Sequence, residues 1–372
     1  MFYALNSSNI RYIGLSLLFV SMLTACGDPD LDGGSQLGGS IQGTPLELTA
    51  VVTTLAGNPA FPGSADGAAA TFNQPRGITT DGTYLYLADT FNNTVRQIEI
   101  ATGETTTLAG TAIVFGADDG TGAAARFNTP RGITTDGTNL YVADTFNNSI
   151  RKVVIATGET TTLAGSTAGT PGSANGTGTA ARFNQPSGIT TDNSSLYVAD
   201  AGNHTIRQIV INTGEVTTLA GTAGTSGATD GAVGRFFNPR GITTDGTNLY
   251  VADTGNHTIR QVVKATGVTS TLAGAGTAAG DADGTTDARF NQPVGITTDG
   301  DNLYVADTFN HTIRQVVIAT AEVTTLVGLA GVADAADGTG TGALFNTPRG
   351  ITTDGNNLYV ADTSNSIIRQ IN

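Results

Sequence analysis

The sequence of 372 residues is poor in cysteine, histidine and basic residues. Cys26 is the only cysteine, which excludes an intrachain disulfide, and there are only three histidines. No run of Lys and Arg occurs, and 31 acidic residues against 17 basic ones give a net charge of −14. Because such a charge repels phosphate groups, we expect no nucleic-acid partner.

Motifs for enzymatic chemistry are also missing. No Gly-x-Ser-x-Gly segment marks a nucleophile, and no glycine-rich loop follows a strand and opens a helix to bind a nucleotide. Hydrophobic heptads are absent, while 50 glycines and abundant Thr and Val favour strands and turns. The composition therefore indicates an all-β protein and gives no sign of a cofactor.

The N-terminal segment reads as a targeting sequence. The apolar run "YIGLSLLFVSML" follows Arg11 and is too short to span a bilayer comfortably. It ends in "LTAC", which resembles the bacterial lipoprotein signal. The resemblance implies cleavage of residues 1–25, acylation of Cys26 and a membrane anchor, with residues 26–50 as a flexible tether. Gly27 lacks the family's inner-membrane retention signal, so we expect an exported lipoprotein of the outer membrane or cell surface. A plain secretory signal is the alternative.

Residues 51–372 repeat one pattern six times. The stretch "LYVADTFNHTIRQV" at 303–316 has five near-copies, and its aspartate recurs every 53 to 56 residues. Each copy contains four strand-like pieces, a to d, separated by turn signals such as Asp81-Gly82. Strand b is apolar on both faces, which requires cover on both sides. The pattern predicts a six-bladed β-propeller of four-stranded antiparallel blades.

The two ends of the pattern predict how the ring closes. Repetition begins at Val51 with a d-type strand and stops after the c-type strand "IIRQIN" at Asn372. The N-terminal strand should therefore complete the last blade and leave no unpaired edge.

Each repeat carries an Asp, an Asn and an Arg around the turn between strands b and c. A catalytic centre is needed once, so six copies indicate structure: the carboxylate would accept turn amides and the arginine would reach back to it or to a neighbouring blade. The aspartates are Asp89, Asp144, Asp200, Asp253, Asp307 and Asp362, and the arginines are Arg96, Arg151, Arg207, Arg260, Arg314 and Arg369.

The segment "PRGITTDGTNLYVADTGNHTIRQV" at 239–262 resembles the NHL-repeat family, with Asn256-His257 at the turn and Thr258 replacing the third family residue. The resemblance recurs in register over residues 51–372 and implies the same propeller. Members of the broader group include protein-binding modules, RNA-binding domains and a lyase acting on peptidyl-hydroxyglycine. The fold alone therefore does not fix the function.

Metal binding has little support in the sequence. All three histidines occupy the same turn on consecutive blades, where they are not expected to converge on one ion. Asp281, Asp283 and Asp287 have the oxygen spacing of a calcium loop but lack the distal glutamate. Their segment also fits the Asx-type turn expected at the Asp-Gly or Asn-Gly pair of every d-to-a linker.

The d-to-a linkers and the b–c turns should emerge on one face, which has the longer loops and the variation between copies. There the sequence predicts an aromatic arc of Phe91, Phe146 and Phe309 beside Arg76, Arg131 and Arg349. Alternatively, the rings pack onto the linkers and the variation is neutral.

Three functions remain open from the sequence. The first is an envelope module that binds protein, peptide or glycan without chemistry. The second is a metal-dependent lyase or hydrolase acting at the central channel, and the third is a structural envelope protein. An enzyme should break the six-fold symmetry of the channel, whereas the strand a copies "GITTD" are uniform.

Overall fold

The computed structural model describes residues 45–372, which form six antiparallel sheets arranged as the blades of a propeller. The predicted signal peptide, Cys26 and most of the tether lie outside the described residues. The strands a to d are, in blade 1, Ile78–Thr80, Tyr84–Asp89, Thr94–Glu99 and Thr105–Ala109; in blade 2, Pro130–Thr135, Asn139–Asp144, Ser149–Val154 and Glu159–Gly165; in blade 3, Pro186–Thr191, Ser195–Asp200, Thr205–Val210 and Glu215–Gly221; in blade 4, Gly241–Thr244, Asn248–Asp253, Thr258–Val263 and Thr269–Ala273; in blade 5, Pro293–Thr298, Asn302–Asp307, Thr312–Val317 and Val323–Val327; and in blade 6, Pro348–Thr353, Leu358–Asp362, Ile367–Ile371 and Val51–Gly57.

The core lies between the blades. Six clusters of buried side chains each combine residues of two successive blades, and the cluster between blades 6 and 1 contains Tyr359, Ala361, Phe72 and Leu87. Strand b is buried on both faces because each sheet is covered by two neighbours. The predicted six-bladed architecture is confirmed.

The strand Val51–Gly57 closes the ring. It pairs antiparallel with Ile367–Ile371, with Val52 opposite Ile371 and Gly57 opposite Ile367. The first strand and the last strand of the chain therefore lie side by side in blade 6, and the predicted closure is confirmed.

The linkers protect the outer edges of the blades. Before reaching strand a, each linker pairs briefly with strand d of the blade that it enters. The short edge strands are Gly120–Thr121, Gly176–Thr177 and Gly338–Thr339, and single bridges form at Gly67, Gly231 and Gly284. Short 3₁₀ turns complete the elements, at Gly122–Ala124, Thr145–Asn147, Gly178–Ala180, Ala201–Asn203, Thr254–Asn256, Gly340–Gly342 and Thr363–Asn365.

In every blade a glycine in strand a, or directly before it in blade 1, lies against the next blade. A Cβ atom on Gly77 would stand 2.0 Å from the carbonyl oxygen of Arg131, which no side chain tolerates. The remaining glycines make the same approach in ring order, Gly132 to Ser187, Gly188 to Arg240, Gly241 to Val294, Gly295 to Arg349 and Gly350 to Arg76. This close contact of neighbouring strands explains why the repeat keeps glycine there.

The turns between strands a and b form one face of the ring, which we call the lower face. Asp81 accepts the backbone N–H of Thr83 and of Tyr84 at 2.9 and 2.8 Å, and the hydroxyl of Tyr86 donates to it at 2.8 Å. These bonds confirm the predicted hairpins. The backbone N–H of Leu46 donates to Asp299 in the corresponding turn of blade 5 at 3.1 Å, so the chain enters the propeller at the lower face.

The propeller's contacts begin before the predicted boundary at Val51. Leu46, Leu48 and Ala50 pack on the cluster between blades 5 and 6, and the Thr49 hydroxyl donates to the carbonyl of Asn372 at 2.9 Å.

No helix among residues 45–372 is long and apolar enough to cross a membrane.

Candidate functional site: the upper face and the channel mouth

The Asp, Asn and Arg of each repeat form one buried cluster. In blade 5, Asp307 accepts the backbone N–H of Asn291 at 2.7 Å, the side-chain amide of Asn310 at 2.7 Å and the guanidinium of Arg314 at 2.9 Å. Burial raises the pKa of Asp307 to about 6, against the lowering effect of these donors. Its carboxylate oxygens are occupied by donors of the fold, which is the arrangement that a structural cluster requires.

The strand c arginine also holds the linker, which the sequence did not indicate. Arg314 donates to Asp283 at 2.6 Å and to the carbonyl of Ala282 at 2.9 Å, and its guanidinium lies 5.3 Å from the ring centre of buried Phe290. Equivalent arginines bind the linker residues Asp66, Asp119, Asn175, Asp230 and Asp337. The linker Asp-Gly and Asn-Gly pairs therefore anchor each linker to the buried arginine as well as forming turns.

The weak calcium candidate is built differently from a cation site. Asp283 is occupied by Arg314 and by the hydroxyl of Thr325, which donates at 3.0 Å. Within residues 45–372, no three His, Cys, Asp or Glu side chains are grouped so that they could hold one metal ion.

The three histidines join successive blades. His204, His257 and His311 adopt left-handed backbone conformations with φ of 59° to 61°. The Nδ1 atom of each accepts a backbone N–H from the next linker, at 3.1, 3.0 and 3.0 Å. Asn93 and Asn148 accept the same bond through Oδ1 at 2.8 Å. Burial lowers the pKa of all three imidazoles, which favours the neutral form that can accept.

The face opposite the lower face, which we call the upper face, unites the linkers with the b–c turns. The backbone N–H of Phe91 donates to the linker carbonyl of Asn73 at 3.1 Å, and Asn92 donates to that of Gly63 at 2.6 Å. The shared face predicted from strand parity is confirmed. It lies away from the entry of the chain at Leu46.

The predicted arc of phenylalanines is half-exposed on the upper face. Phe91, Phe146 and Phe309 are 42%, 47% and 42% exposed. The guanidinium carbons of Arg76 and Arg131 lie 5.6 and 5.4 Å from the ring centres of Phe91 and Phe146.

Two phenylalanine–arginine contacts are therefore present within the arc. Blade 5 has Val294 at the arginine position, so Phe309 has no such partner, and Arg349 belongs to blade 6, whose turn carries Ser364.

The mouth of the central channel breaks the six-fold symmetry. The residue before the strand a glycine differs between blades and is, in ring order, Arg76, Arg131, Ser187, Arg240, Val294 and Arg349. With the adjacent glycines and isoleucines, these side chains line a cavity of about 570 Å³, including its open mouth. The expectation of a uniform channel was therefore wrong, because the "GITTD" segments match while the residue preceding each of them does not.

Arg240 is the residue of this site that the sequence interpretation missed. The signal was present, since Pro239-Arg240-Gly241 matches the arginine-containing copies.

The four arginines of the mouth have no acidic partner. No hydrogen bond or ion pair joins their side chains to any residue in the range 45–372, apart from the ring contacts of Arg76 and Arg131. Burial lowers the pKa of Arg349 to about 9 and that of Arg76 and Arg131 to about 10, and repulsion between the arginines adds to the effect. Burial also lowers the pKa of Arg240. The mouth is a concentrated positive region on an acidic protein.

Comparison with known proteins agrees with the repeat pattern. The NHL repeat family model matches residues 183–209 and 290–316. The chain is 32% identical over 278 residues to Protein SUPPRESSOR OF QUENCHING 1, chloroplastic, of Arabidopsis thaliana, covering 69% of this chain and 26% of that protein. It is 32% identical over 306 residues to human NHL repeat-containing protein 2, covering 71% and 42%. The chain thus spans less than half the length of either relative.

Solved structures share the fold at lower identity. An auxiliary nutrient binding protein from Bacteroides thetaiotaomicron superposes with a TM-score of 0.67 at 18% identity, over 87% of this chain and 76% of the other. A likeness at this level of identity concerns the fold alone.

Proposed function

Because this chain is an NHL-repeat β-propeller, we propose that it is a non-catalytic binding module, held at the cell envelope by a lipid on Cys26. Its ligand, a protein, peptide or glycan, contacts the upper face at the channel mouth. The observation that carries this proposal is the set of four arginines without acidic partners, since holding like charges together in a partly buried cavity is unfavourable and an anionic ligand would compensate them.

The position of the chain entry supports the same arrangement. A tether that reaches the lower face at Leu46 leaves the upper face free for a partner. The auxiliary nutrient binding protein with this fold offers a precedent for a binding role.

An asymmetric channel mouth is also what the alternative, a metal-dependent lyase or hydrolase, would require, but the residues that break the symmetry do not favour it. The three histidines accept backbone amides at the blade junctions, and the channel mouth carries arginines, which are not metal ligands.

The binding face can be tested by site-specific crosslinking. The full chain, carrying benzoylphenylalanine in place of Phe146, is incubated with peptide and oligosaccharide libraries, and the same residue is placed at exposed Thr138 of the lower face as the matched control. We expect crosslinks from position 146 and none from position 138. Crosslinks from position 138 alone would contradict the proposed face.

The anchor can be tested separately by labelling cells with an alkynyl palmitate. We expect the wild-type protein to be labelled and recovered with outer membranes, and Cys26→Ala to be unlabelled and released from them. Equal labelling of the two proteins would exclude acylation at Cys26.

A further inference from the structure

We infer that the channel mouth is an oxyanion-binding site, in which Arg76, Arg131, Arg240 and Arg349 together hold a carboxylate, phosphate or sulfate group of the ligand. This inference rests on the proposed function, because it names the chemical group that the upper face recognises.

The mouth is distinctive because four arginines without acidic partners among residues 45–372 line one cavity, whereas other unpaired basic residues, such as Arg235 and Lys152, lie outside it. Every strand c arginine is paired with a buried aspartate, and Lys264 is paired with Asp192 at 2.7 Å. The chain has 31 acidic residues and 17 basic ones, so it contains enough carboxylates to pair with four more arginines. The fold nevertheless brings none of the described acidic side chains to the mouth.

The local environment strengthens attraction for an anion. The walls beneath the arginines are glycines and isoleucines, with Ile78 and Ile133 6% and 5% exposed. Such walls offer no competing anionic side chain, and their apolar side chains reduce the screening of charge. A bound oxyanion would therefore relieve the repulsion between the arginines and receive several charge-assisted hydrogen bonds.

Two of the arginines are placed by aromatic rings. Arg76 lies over the ring of Phe91, and Arg131 lies over the ring of Phe146. When the flat face of a guanidinium contacts an aromatic ring, its N–H groups at the edge stay available to an oxyanion. Arg240 and Arg349 lack this support because Gly255 and Ser364 occupy the phenylalanine position of their blades. The site is therefore asymmetric, and the arginines supported by aromatic rings are those of blades 1 and 2.

The test uses the full-length protein with sodium phosphate, sodium sulfate and sodium succinate as separate probes, in buffer of low ionic strength at pH 7. Calorimetry and thermal shift measure binding to the wild type and to the double variant Arg131→Ser, Arg349→Ser. Serine is the residue that blade 3 uses at this position, as Ser187.

The matched control is Arg235→Ser with Lys152→Ser. It removes the same two positive charges from side chains outside the mouth that have no hydrogen-bond or ion-pair partner. We expect at least one probe to bind the wild type and the control alike, and the mouth variant to bind roughly tenfold more weakly or worse, as the loss of two charge-assisted contacts requires. The free mouth variant should also melt at or above the wild-type temperature, because repulsion is removed.

Failure of all three probes to bind the wild type, or equal binding by the mouth variant, would overturn the oxyanion inference. Crosslinking from position 146 would then still support ligand binding at the upper face. If an oxyanion binds but crosslinks form only from position 138, the proposed function is wrong. The inference of an oxyanion site at the channel mouth would still hold.

Discussion

The Nδ1 atom of His311 accepts the backbone N–H of Thr347 at 3.0 Å, so a side chain of blade 5 is bonded to the linker that enters blade 6. The same bond recurs at all six junctions, through histidine on three blades, asparagine on two, and the hydroxyl of Ser366, which accepts from Gln74 at 3.3 Å. Only the histidine version can be lost by protonation, because an imidazolium ion has no acceptor.

Acidification should therefore destabilise the three histidine junctions. Burial lowers the pKa of His204, His257 and His311 in the folded protein, while the unfolded chain titrates near the ordinary value of 6.5. Their contribution to the free energy of unfolding is present above pH 6.5 and is lost as the pH falls below it. We expect the melting temperature of the wild type to fall more between pH 7.5 and pH 5 than that of a variant with asparagine at all three positions.

Asparagine is the matched replacement because Asn93 and Asn148 make the same bond. Near pH 7.5 the two proteins should melt at similar temperatures. Superimposable melting temperatures at every pH would show that the histidines are not titrating at the junctions.

Removing one buried carboxylate should cost more than removing any surface charge. In Asp253→Ala, Arg260 would lose its buried carboxylate and keep exposed Asp230 as its one acidic partner, and the amide of Phe237 would lose its acceptor. We expect the free energy of unfolding to fall by about 3–5 kcal/mol, as for other broken buried pairs. Chemical denaturation measures the change, and Asp287→Ala at an exposed position should alter stability by less than about 0.5 kcal/mol. Similar values for the two variants would refute a structural role for the cluster.

The strand a glycines should tolerate no side chain. Gly77→Ala places a methyl group 2.0 Å from the carbonyl oxygen of Arg131, and the backbone of two adjacent blades must move apart. We expect a loss of more than about 3 kcal/mol, or failure to fold. Gly342→Ala is the control, since a Cβ atom there meets nothing within 4 Å. Thermal melting compares the two, and an unaltered Gly77→Ala protein would mean that the blades are not in contact at this point.

One triple variant distinguishes ligand binding by the phenylalanine arc from packing of its rings on the linkers. Changing Phe91, Phe146 and Phe309 to serine uses the residue that blade 6 carries as Ser364. Because each ring is nearly half-exposed, we expect the melting temperature to change by only a few degrees, while calorimetry shows that binding of the ligand captured by crosslinking is lost. A large fall in melting temperature with retained binding would assign the rings to packing on the linkers.

The sequence predicted the features that lie within one repeat. Strand order, the a–b hairpins, the Asp307–Arg314 pair and the shared face of linkers and b–c turns all follow from the pattern of a single copy. Closure by Val51–Gly57 followed from counting strands at the two ends.

Contacts between copies were harder to predict. The bond from His311 to the next linker, the approach of Gly77 to Arg131 and the meeting of four arginines at one mouth all depend on the ring geometry. A repeat read alone does not contain that geometry. Arg240 was missed for this reason, since its importance comes from arginines about 110 residues away on either side.

The entry of the chain at the lower face also determines how the protein would carry mechanical load. With an anchor at Cys26 and a ligand at the upper face, tension would run along Val51–Gly57, nearly parallel to its strand axis. The hydrogen bonds to Ile367–Ile371 lie across that axis, so they would be loaded together in shear instead of opening one after another. The strand that closes the ring would then also serve as the force-bearing element between membrane and ligand.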